Sequence, residues 1–596
     1  MALGLLPINL FIAEEKKNEY ILLNGGQSDF CLELFSSDTE NDYFSTAWSS
    51  DAKNYVVVNN DYIYLYNWKN EKKEPIKRKI AEDHFSEFYN YLLSSSFRSD
   101  DDIVPFVLNF YRKLRNLTDE RNRGKDALNL LFWLFAIYEE NIDINRINRE
   151  KWALNELSLK NSEFERYKEE FSSGIRNKLR PNVELILRHA SGILFQEAHK
   201  EALFFDRSLD LFSGTLSSQY AIKNIPYSSI HYTPAYLART IVENALQNID
   251  LTSKKELKVL DPACGTSEFL MELLKQLKYK DYKGIVKIYG LDTSEIAINT
   301  SKFLLNYEKR EWNDKLYINI ELAEDSLIKN WGTDYDLILM NPPFLSWELL
   351  NKQKRDVLKN TLNSVFEIKP NLASAFFYKA INSIKENGVI GCVIPSSILT
   401  LDSYSKLRNS LSELVTPILI AKLGNFVFEN AFTDVSIYIA KKTILQSTPL
   451  ILWTMNNKGI VSDALRGLRK LNYDKLPLIK EKEYSIYTPI KFPINKENWR
   501  VLSYNENNIF KELEILVLDK KLTRIQKIFN VKQGIRTGNN NVFKISENDY
   551  NNLPNSEKIY FRPAIDNKAI KNGYLEKKNY IWYPYNLEEL IMRSCQ

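Results

Sequence analysis

The chain has 596 residues, too many for one hydrophobic core, and about three to four domains are expected. Hydrophobic residues make up 44 % and charged residues 26 %, which excludes wholesale disorder. The formal charge of +4 is too small to argue for a nucleic-acid partner, so that case has to rest on local basic patches.

The first residues, MALGLLPINLFIAEEKK, carry no charge ahead of their apolar run and make a poor secretory signal. Residues 1–80 read as β-rich. The run from Asn54 to Tyr66 predicts two strands around an Asn-Asn-Asp turn. Residues 81–215 read as helical, with Leu128, Leu131, Leu134 and Ile137 at helical spacing. The longest apolar stretch, Leu128 to Tyr138, is about half of the ~20 residues that cross a bilayer, so it predicts a buried helix and no membrane span. Cys31, Cys264, Cys392 and Cys595 show no Cys-x-x-Cys spacing, so neither a metal site nor a disulfide framework is expected, and a reducing, cytoplasmic setting fits.

Between 216 and 450 short apolar runs alternate with helical stretches. Strands are expected at Leu257–Leu260, Val286–Leu291, Leu316–Leu322, Leu337–Met340, Val389–Ile394, Ile418–Leu423 and Val435–Ala440. This is the pattern of an α/β fold with a doubly wound, Rossmann-like sheet. Residues 451–596 lose the regularity. The stretch 510–545 is basic, with Lys520, Lys521, Arg524, Lys527, Lys532 and Arg536, and reads either as a solvated face or as a nucleic-acid surface.

Three acids end three successive strands. Asp261 opens the turn Asp-Pro-Ala263-Cys264-Gly265, where Gly265 allows close backbone approach and the next helix offers free N–H groups. Asp261 could receive the ammonium group of an amino-acid-like ligand. Asp292 stands where ribose hydroxyls bind, and Asp325 could accept from an adenine amine. Each acid alone is as easily a helix cap; the ordered set points to a nucleoside-bearing ligand. The turn is not Gly-x-Gly-x-x-Gly, which argues against nicotinamide chemistry.

The sharpest signal is an apolar strand running into Asn341-Pro342-Pro343-Phe344. Two prolines remove two donors and stiffen the turn. The carbonyls of Asn341 and Pro342 can then pull on the two hydrogens of a weakly nucleophilic aromatic amine, while Phe344 stacks on the ring. Such catalysis is positioning and electrostatics, with no general base.

These motifs, in this order, resemble the amino-methylating DNA methyltransferases of the gamma arrangement, found in type I, type IIG and solitary modification enzymes. The resemblance covers roughly the last two thirds of the chain. His231-Tyr-Thr233-Pro234 resembles the opening cofactor motif, and Asp261, Ala263, Cys264 and Gly265 the main cofactor loop. Asn371-Leu-Ala-Ser-Ala-Phe376 resembles a segment whose Phe packs on the cofactor adenine; Val427-Phe428-Glu-Asn resembles the loop whose aromatic holds a flipped base. Gly534-Ile-Arg536-Thr537-Gly-Asn539 resembles the start of a target-recognition region, so Arg524, Lys532, Arg536, Thr537 and Asn539 are the expected DNA contacts.

The resemblance implies S-adenosylmethionine as cofactor, adenine N6 in double-stranded DNA as target, and a restriction-modification or phage-defence setting. It departs from the family in two places. Position 267 is Ser where family loops often have Gly. Only about sixty residues follow Gly534, so a specificity or restriction partner subunit, or further chain, is expected to complete recognition. A nuclease in front would need an acid and an acid-x-Lys on adjacent strands. The Glu14-Glu-Lys-Lys and Glu71-Lys-Lys runs read instead as solvated charge, so a degenerate nuclease-like region is expected in preference to an active nuclease, which stays as the lesser alternative. The alternatives are a type IIG endonuclease-methyltransferase, an RNA or protein-glutamine methyltransferase, and a DNA-binding subunit without turnover.

Overall fold

The computed structural model describes residues 4–9, 19–23, 30–34, 43–52, 54–66, 68, 74–94, 99–118, 122–156, 159, 161–175, 178–205, 232–428, 433–445, 447–493, 499–529, 539–565, 570–571, 574–575 and 579–584. They form two compact units, Met1–Ile509 and Phe510–Gln596.

The first unit opens with a six-stranded sheet in the order β1 (Leu6–Asn9), β2 (Glu19–Leu23), β3 (Phe30–Leu34), β4 (Asn54–Val58), β5 (Tyr62–Tyr66), β6 (Ile76–Lys77). The expected hairpin is β4–β5, with Val58 opposite Ile63. Its turn closes because Asn59 Oδ1 accepts from the backbone N–H of Asp61 (3.0 Å) and Tyr62 (2.7 Å), the local bonding that suits Asn to turns. The two-residue alternation of β4 puts Tyr55 and Val57 into one core and Val56 into another. Residues 1–80 are not strands throughout: Tyr43–Ser49 is a helix, whose Ala47 packs into the core with Tyr55 and Val57.

Helices Ile103–Leu114, Arg123–Glu140 and Ser191–Phe205 pack together. Arg123–Glu140 is buried nearly all round from Ala127 to Ile137, as its apolar run predicts, and Asn141 ends it in the left-handed region at φ 49°. No helix among the described residues is long and apolar enough to cross a membrane.

The dominant element is a ten-stranded sheet. Its strands are β7 (Glu256–Asp261), β8 (Ile285–Asp292), β9 (Leu316–Leu322), β10 (Tyr335–Met340), β11 (Ile384–Pro395), β12 (Thr416–Gly424), β13 (Val435–Lys441), β14 (Leu450–Thr454), β15 (Leu478–Lys480) and β16 (Tyr484–Tyr487). The spatial order is β15-β16-β14-β12-β13-β11-β10-β7-β8-β9. All seven expected strands are present. From β9 to β11 neighbours run parallel, and β13 lies antiparallel between β11 and β12. Strands covered on both faces need continuous apolar runs, and every residue of β10 is buried. The sheet also continues past 450. There β15 and β16 have only three and four residues, too few for a period to register in sequence.

The chain builds β7, β8 and β9 outward, then returns to lay β10 on the other side of β7. That reversal is a topological switch point, where the carboxyl ends of adjacent strands leave a crevice for ligand.

A buried ion pair ties the sheet's helices to the N-terminal strands. Arg469, on helix Ile460–Asp474, donates to Glu243 on helix Ala235–Leu246 at 2.6 Å and to the Gly4 carbonyl at 2.8 Å. Both side chains are buried. Removing one partner strands a charge, so Arg469→Met is expected to lower unfolding stability by about 3–5 kcal/mol. The double change Glu243→Leu/Arg469→Met is expected to lower it less, read by denaturant melts.

Candidate active site

Each wall of the crevice comes from a strand end. After β7 the turn is held by two backbone bonds: Cys264 N–H donates to Leu291 C=O at 2.9 Å, and Ser267 N–H to Cys264 C=O at 2.7 Å. Gly265 sits at φ +52°, and a Cβ there would meet open space, so conformation rather than crowding calls for glycine. Ser267 follows at φ +66°, fully buried, and its Oγ has no hydrogen-bond partner among the described residues. This left-handed backbone, which a side chain adopts at a cost, is a reason for glycine at that position of the loop.

Asp292, at the end of β8, locks this turn to its own loop. Its Oδ2 accepts from Gly265 N–H at 2.9 Å and its Oδ1 from Ser294 N–H at 2.8 Å. Burial raises its carboxyl above the ordinary range. Asp261 is 1 % exposed and accepts from Ala263 N–H at 3.1 Å. Burial, with a smaller push from Asp292, lifts its carboxyl to about 8. A group raised in the fold from an ordinary 3.8 contributes stability in its protonated form, and that stability is lost as pH rises towards 8. Ligand-free Asp261→Asn is therefore expected to melt higher than wild type at pH 8, with the gap closing by pH 4, in thermal scans across that window. A cationic ligand group beside Asp261 would offset the same cost.

Past β9, Asp325 Oδ1 accepts from Leu327 N–H at 2.9 Å and shapes the next turn. Phe376, on helix Leu372–Ser383, lies beneath that turn, its ring 5.9 Å from Trp331; the Trp331 indole donates to Ser326 C=O at 2.7 Å. Trp331 had no signal in the sequence.

The Asn-Pro-Pro-Phe turn leaves β10 beside β7. Asn341 Nδ2 donates to Thr233 Oγ1 at 3.1 Å, across 108 residues of sequence. Pro234 begins helix Ala235–Leu246, whose Tyr236 hydroxyl donates to the Val427 carbonyl at 3.2 Å and so brings in the Phe428 segment. Phe344 and Phe428 are both buried, ring centroids 6.2 Å apart and planes at 62°. They touch edge to face. A base sandwiched between parallel rings needs them about 7 Å apart, twice a ~3.5 Å contact, so one ring must turn before a base can enter.

The first unit thus gathers Thr233, Pro234, Asp261, Ala263, Cys264, Gly265, Asp292, Asp325, Asn341 to Phe344, Phe376 and Phe428 around the switch-point strand ends. Arg524 and Asn539 belong to the second unit. Arg524 is exposed and pairs with Glu514 at 3.3 Å; Asn539 caps the turn Asn540–Phe543. Lys532, Arg536 and Thr537, like His231, Glu429 and Asn430, lie outside the described residues. Among the described residues, no group of three or more His, Cys, Asp or Glu side chains could hold a metal ion.

Residues 214–483 match the family model of the N-6 DNA methylases. This segment belongs to that family. The N-6 DNA methylase segment covers the whole crevice from Thr233 to Phe428 and the sheet as far as β15. Among curated proteins, the type II methyltransferase M.BanIII of Aneurinibacillus aneurinilyticus is 26 % identical over 343 residues, 52 % of this chain and 57 % of that one. M.AccI of Acinetobacter calcoaceticus is 26 % identical over 358 residues, 59 % of each chain. M.VspI of Vibrio sp. (strain 343) is 26 % identical over 223 residues, 36 % of this chain and 46 % of that one. The chain spans about half the length of these relatives.

S-adenosylmethionine is the cofactor of the N-6 DNA methylase family, and the crevice fits it on its own terms. Two carboxylates, the buried Asp261 and the half-buried Asp292, are held above their ordinary range, the Gly265 position opens into free space, and the buried Ser267 hydroxyl has no partner among the described residues.

Proposed function

We propose that this chain is a DNA methyltransferase that transfers a methyl group to the N6 amine of an adenine flipped out of double-stranded DNA. One observation carries the reading: the Asn341 carboxamide is held by Thr233 at the end of β10, next to the acidic turn that ends β7.

The roles follow from this placement. Asp261 would take the cofactor's ammonium group, Asp292 its ribose hydroxyls, and Asp325 and Phe376 its adenine. S-adenosylmethionine supplies, when bound, an electrophilic methyl group on a sulfonium sulfur. An amide whose NH2 is engaged by Thr233 turns its oxygen to the other side. There it can accept one hydrogen of the target amine while the Pro342 carbonyl accepts the other. Two acceptors on the two hydrogens draw the nitrogen towards the tetrahedral geometry that attack requires. The prolines keep both acceptors in place, so little reorganisation accompanies the reaction. Phe344 would stack on the base, and Phe428 would swing aside to admit it. Extrusion costs a few kcal/mol, which stacking and the two amine contacts offset. Arg524, Lys532, Arg536, Thr537 and Asn539 are proposed contacts to the DNA, and a specificity or restriction subunit is a proposed partner.

The test is methyl transfer from labelled S-adenosylmethionine to mixed-sequence duplex DNA by the purified chain, followed by digestion to nucleosides. Labelled N6-methyladenine supports the reading. Labelled N4-methylcytosine would change the target base, and label confined to RNA or protein would overturn the DNA substrate.

A further inference from the structure

A buried histidine outside the matched segment touches both ends of the crevice. His199 lies on helix Ser191–Phe205, ahead of residue 214 where the family match begins, and is 4 % exposed. Its Nδ1 is 2.6 Å from the Tyr232 hydroxyl and its Nε2 is 3.1 Å from Ser294 Oγ. One turn earlier on the same helix, Gln196 Nε2 donates to the Thr233 carbonyl at 3.1 Å.

Both contacts lead into the site. Tyr232 and Thr233 are neighbours, and the Thr233 hydroxyl holds the Asn341 amide. Ser294 caps helix Glu295–Trp312, and its backbone N–H donates to Asp292, which in turn accepts from Gly265. Burial holds the imidazole down at about 4, so it is neutral at pH 7. A neutral ring has one donor and one acceptor nitrogen, and the two hydroxyls can each take either role. His199 therefore satisfies both at once.

We propose that His199 and Gln196 are positioning residues: one face of helix Ser191–Phe205 clasps the Tyr232-Thr233 segment and the Ser294 cap, and so fixes the spacing between the catalytic Asn341 and the ribose-binding Asp292. The helical region ahead of the methylase segment is then part of the active site rather than an appendage. This rests on the cofactor and catalytic assignments above.

The experiment uses the full chain with His199→Ala, His199→Gln, Tyr232→Phe and Gln196→Ala. Three quantities are read: affinity for S-adenosylhomocysteine by calorimetry, single-turnover methyl transfer to duplex DNA, and unfolding temperature. Losing the His199 bridge is expected to weaken S-adenosylhomocysteine about tenfold, the size of one net hydrogen bond. His199→Gln, which can still donate to one hydroxyl and accept from the other, is expected to stay within about threefold of wild type. Gln196→Ala is expected to leave cofactor affinity near wild type and slow single-turnover transfer about tenfold, because its path runs through Thr233 to Asn341.

A merely structural role has a different signature. His199→Ala would melt lower but bind and turn over normally per folded molecule, and that result overturns the clasp. If His199→Ala does not fold, Tyr232→Phe and Gln196→Ala each delete one bond and decide the matter by the same criterion. Wild-type chain that binds no S-adenosylhomocysteine would overturn the cofactor assignment and the clasp with it. Wild-type binding with unchanged affinity in His199→Ala and Tyr232→Phe, and an unchanged rate in Gln196→Ala, overturns the clasp alone.

Discussion

Asn341→Ala is expected to lower single-turnover methyl transfer by about a thousandfold while S-adenosylhomocysteine affinity stays within a few-fold of wild type. The reason is where the side chain acts. The Asn341 oxygen is proposed to contact the target amine, and its bond to Thr233 fixes the direction of that oxygen. Alanine removes the acceptor and leaves the buried β10 strand and the double proline intact. An interaction that grows as the amine approaches attack appears in the chemical step rather than in cofactor binding. Asn341→Asp is the sharper control. It keeps the shape and loses the donor to Thr233, and it is expected to be nearly as slow as alanine. Rapid single turnover in Asn341→Ala would remove this residue from the chemistry. A matching loss of cofactor affinity would recast it as part of the cofactor site.

The second large effect is expected at Asp292. Its carboxylate holds Gly265 and Ser294 by two backbone N–H bonds and is the proposed partner of the ribose hydroxyls. Hydrogen bonds to charged acceptors contribute about 1.5–3 kcal/mol each, so losing the ribose pair should weaken S-adenosylhomocysteine at least about a hundredfold. Calorimetry on Asp292→Ala measures this directly. Asp292→Asn keeps one acceptor oxygen and is expected to fall between wild type and alanine. Saturating cofactor should restore much of the transfer rate in Asp292→Asn, which it cannot do for Asn341→Ala. That split between binding and chemistry separates the two ends of the crevice. Affinity unchanged in Asp292→Ala would place the ribose elsewhere.

Both predictions draw on residues that stood out in the sequence, and there is a physical reason why they did. Strands covered on both faces must be apolar where they are covered, so β10 and the second half of β11 stand out as continuous hydrophobic runs, while β7 and β8 show buried Leu, Val and Ile around part-exposed lysines. A switch-point crevice lies at strand ends, so the residues directly after those runs line it. Asp261, Asp292 and Asn341 each follow or end such a run. Their chemistry is local: a turn that needs Gly265, a turn stiffened by Pro342 and Pro343. A stretch of a dozen residues carries all of that information, and the order of the stretches carries the family.

What the tertiary structure decided is of another kind. The bond from Asn341 to Thr233 spans 108 residues, and the contacts of His199 span 33 and 95. Single side-chain pairs at such separations leave no period and no spacing to read. The edge contact between Phe344 and Phe428 depends on a loop brought over by the Tyr236–Val427 bond, so two residues expected to flank a base instead meet each other. Strands β15 and β16 are too short to show alternation; β16 is held by pairing with β14, and β15 by pairing with β16. In this protein the sequence by itself determined seven of the sheet's ten strands, the order of its motifs and the chemical types in the crevice, because those are properties of contiguous segments. The distances between the motifs, and the helix that clasps them, came only from packing, because they are set by contacts between segments that the chain keeps far apart.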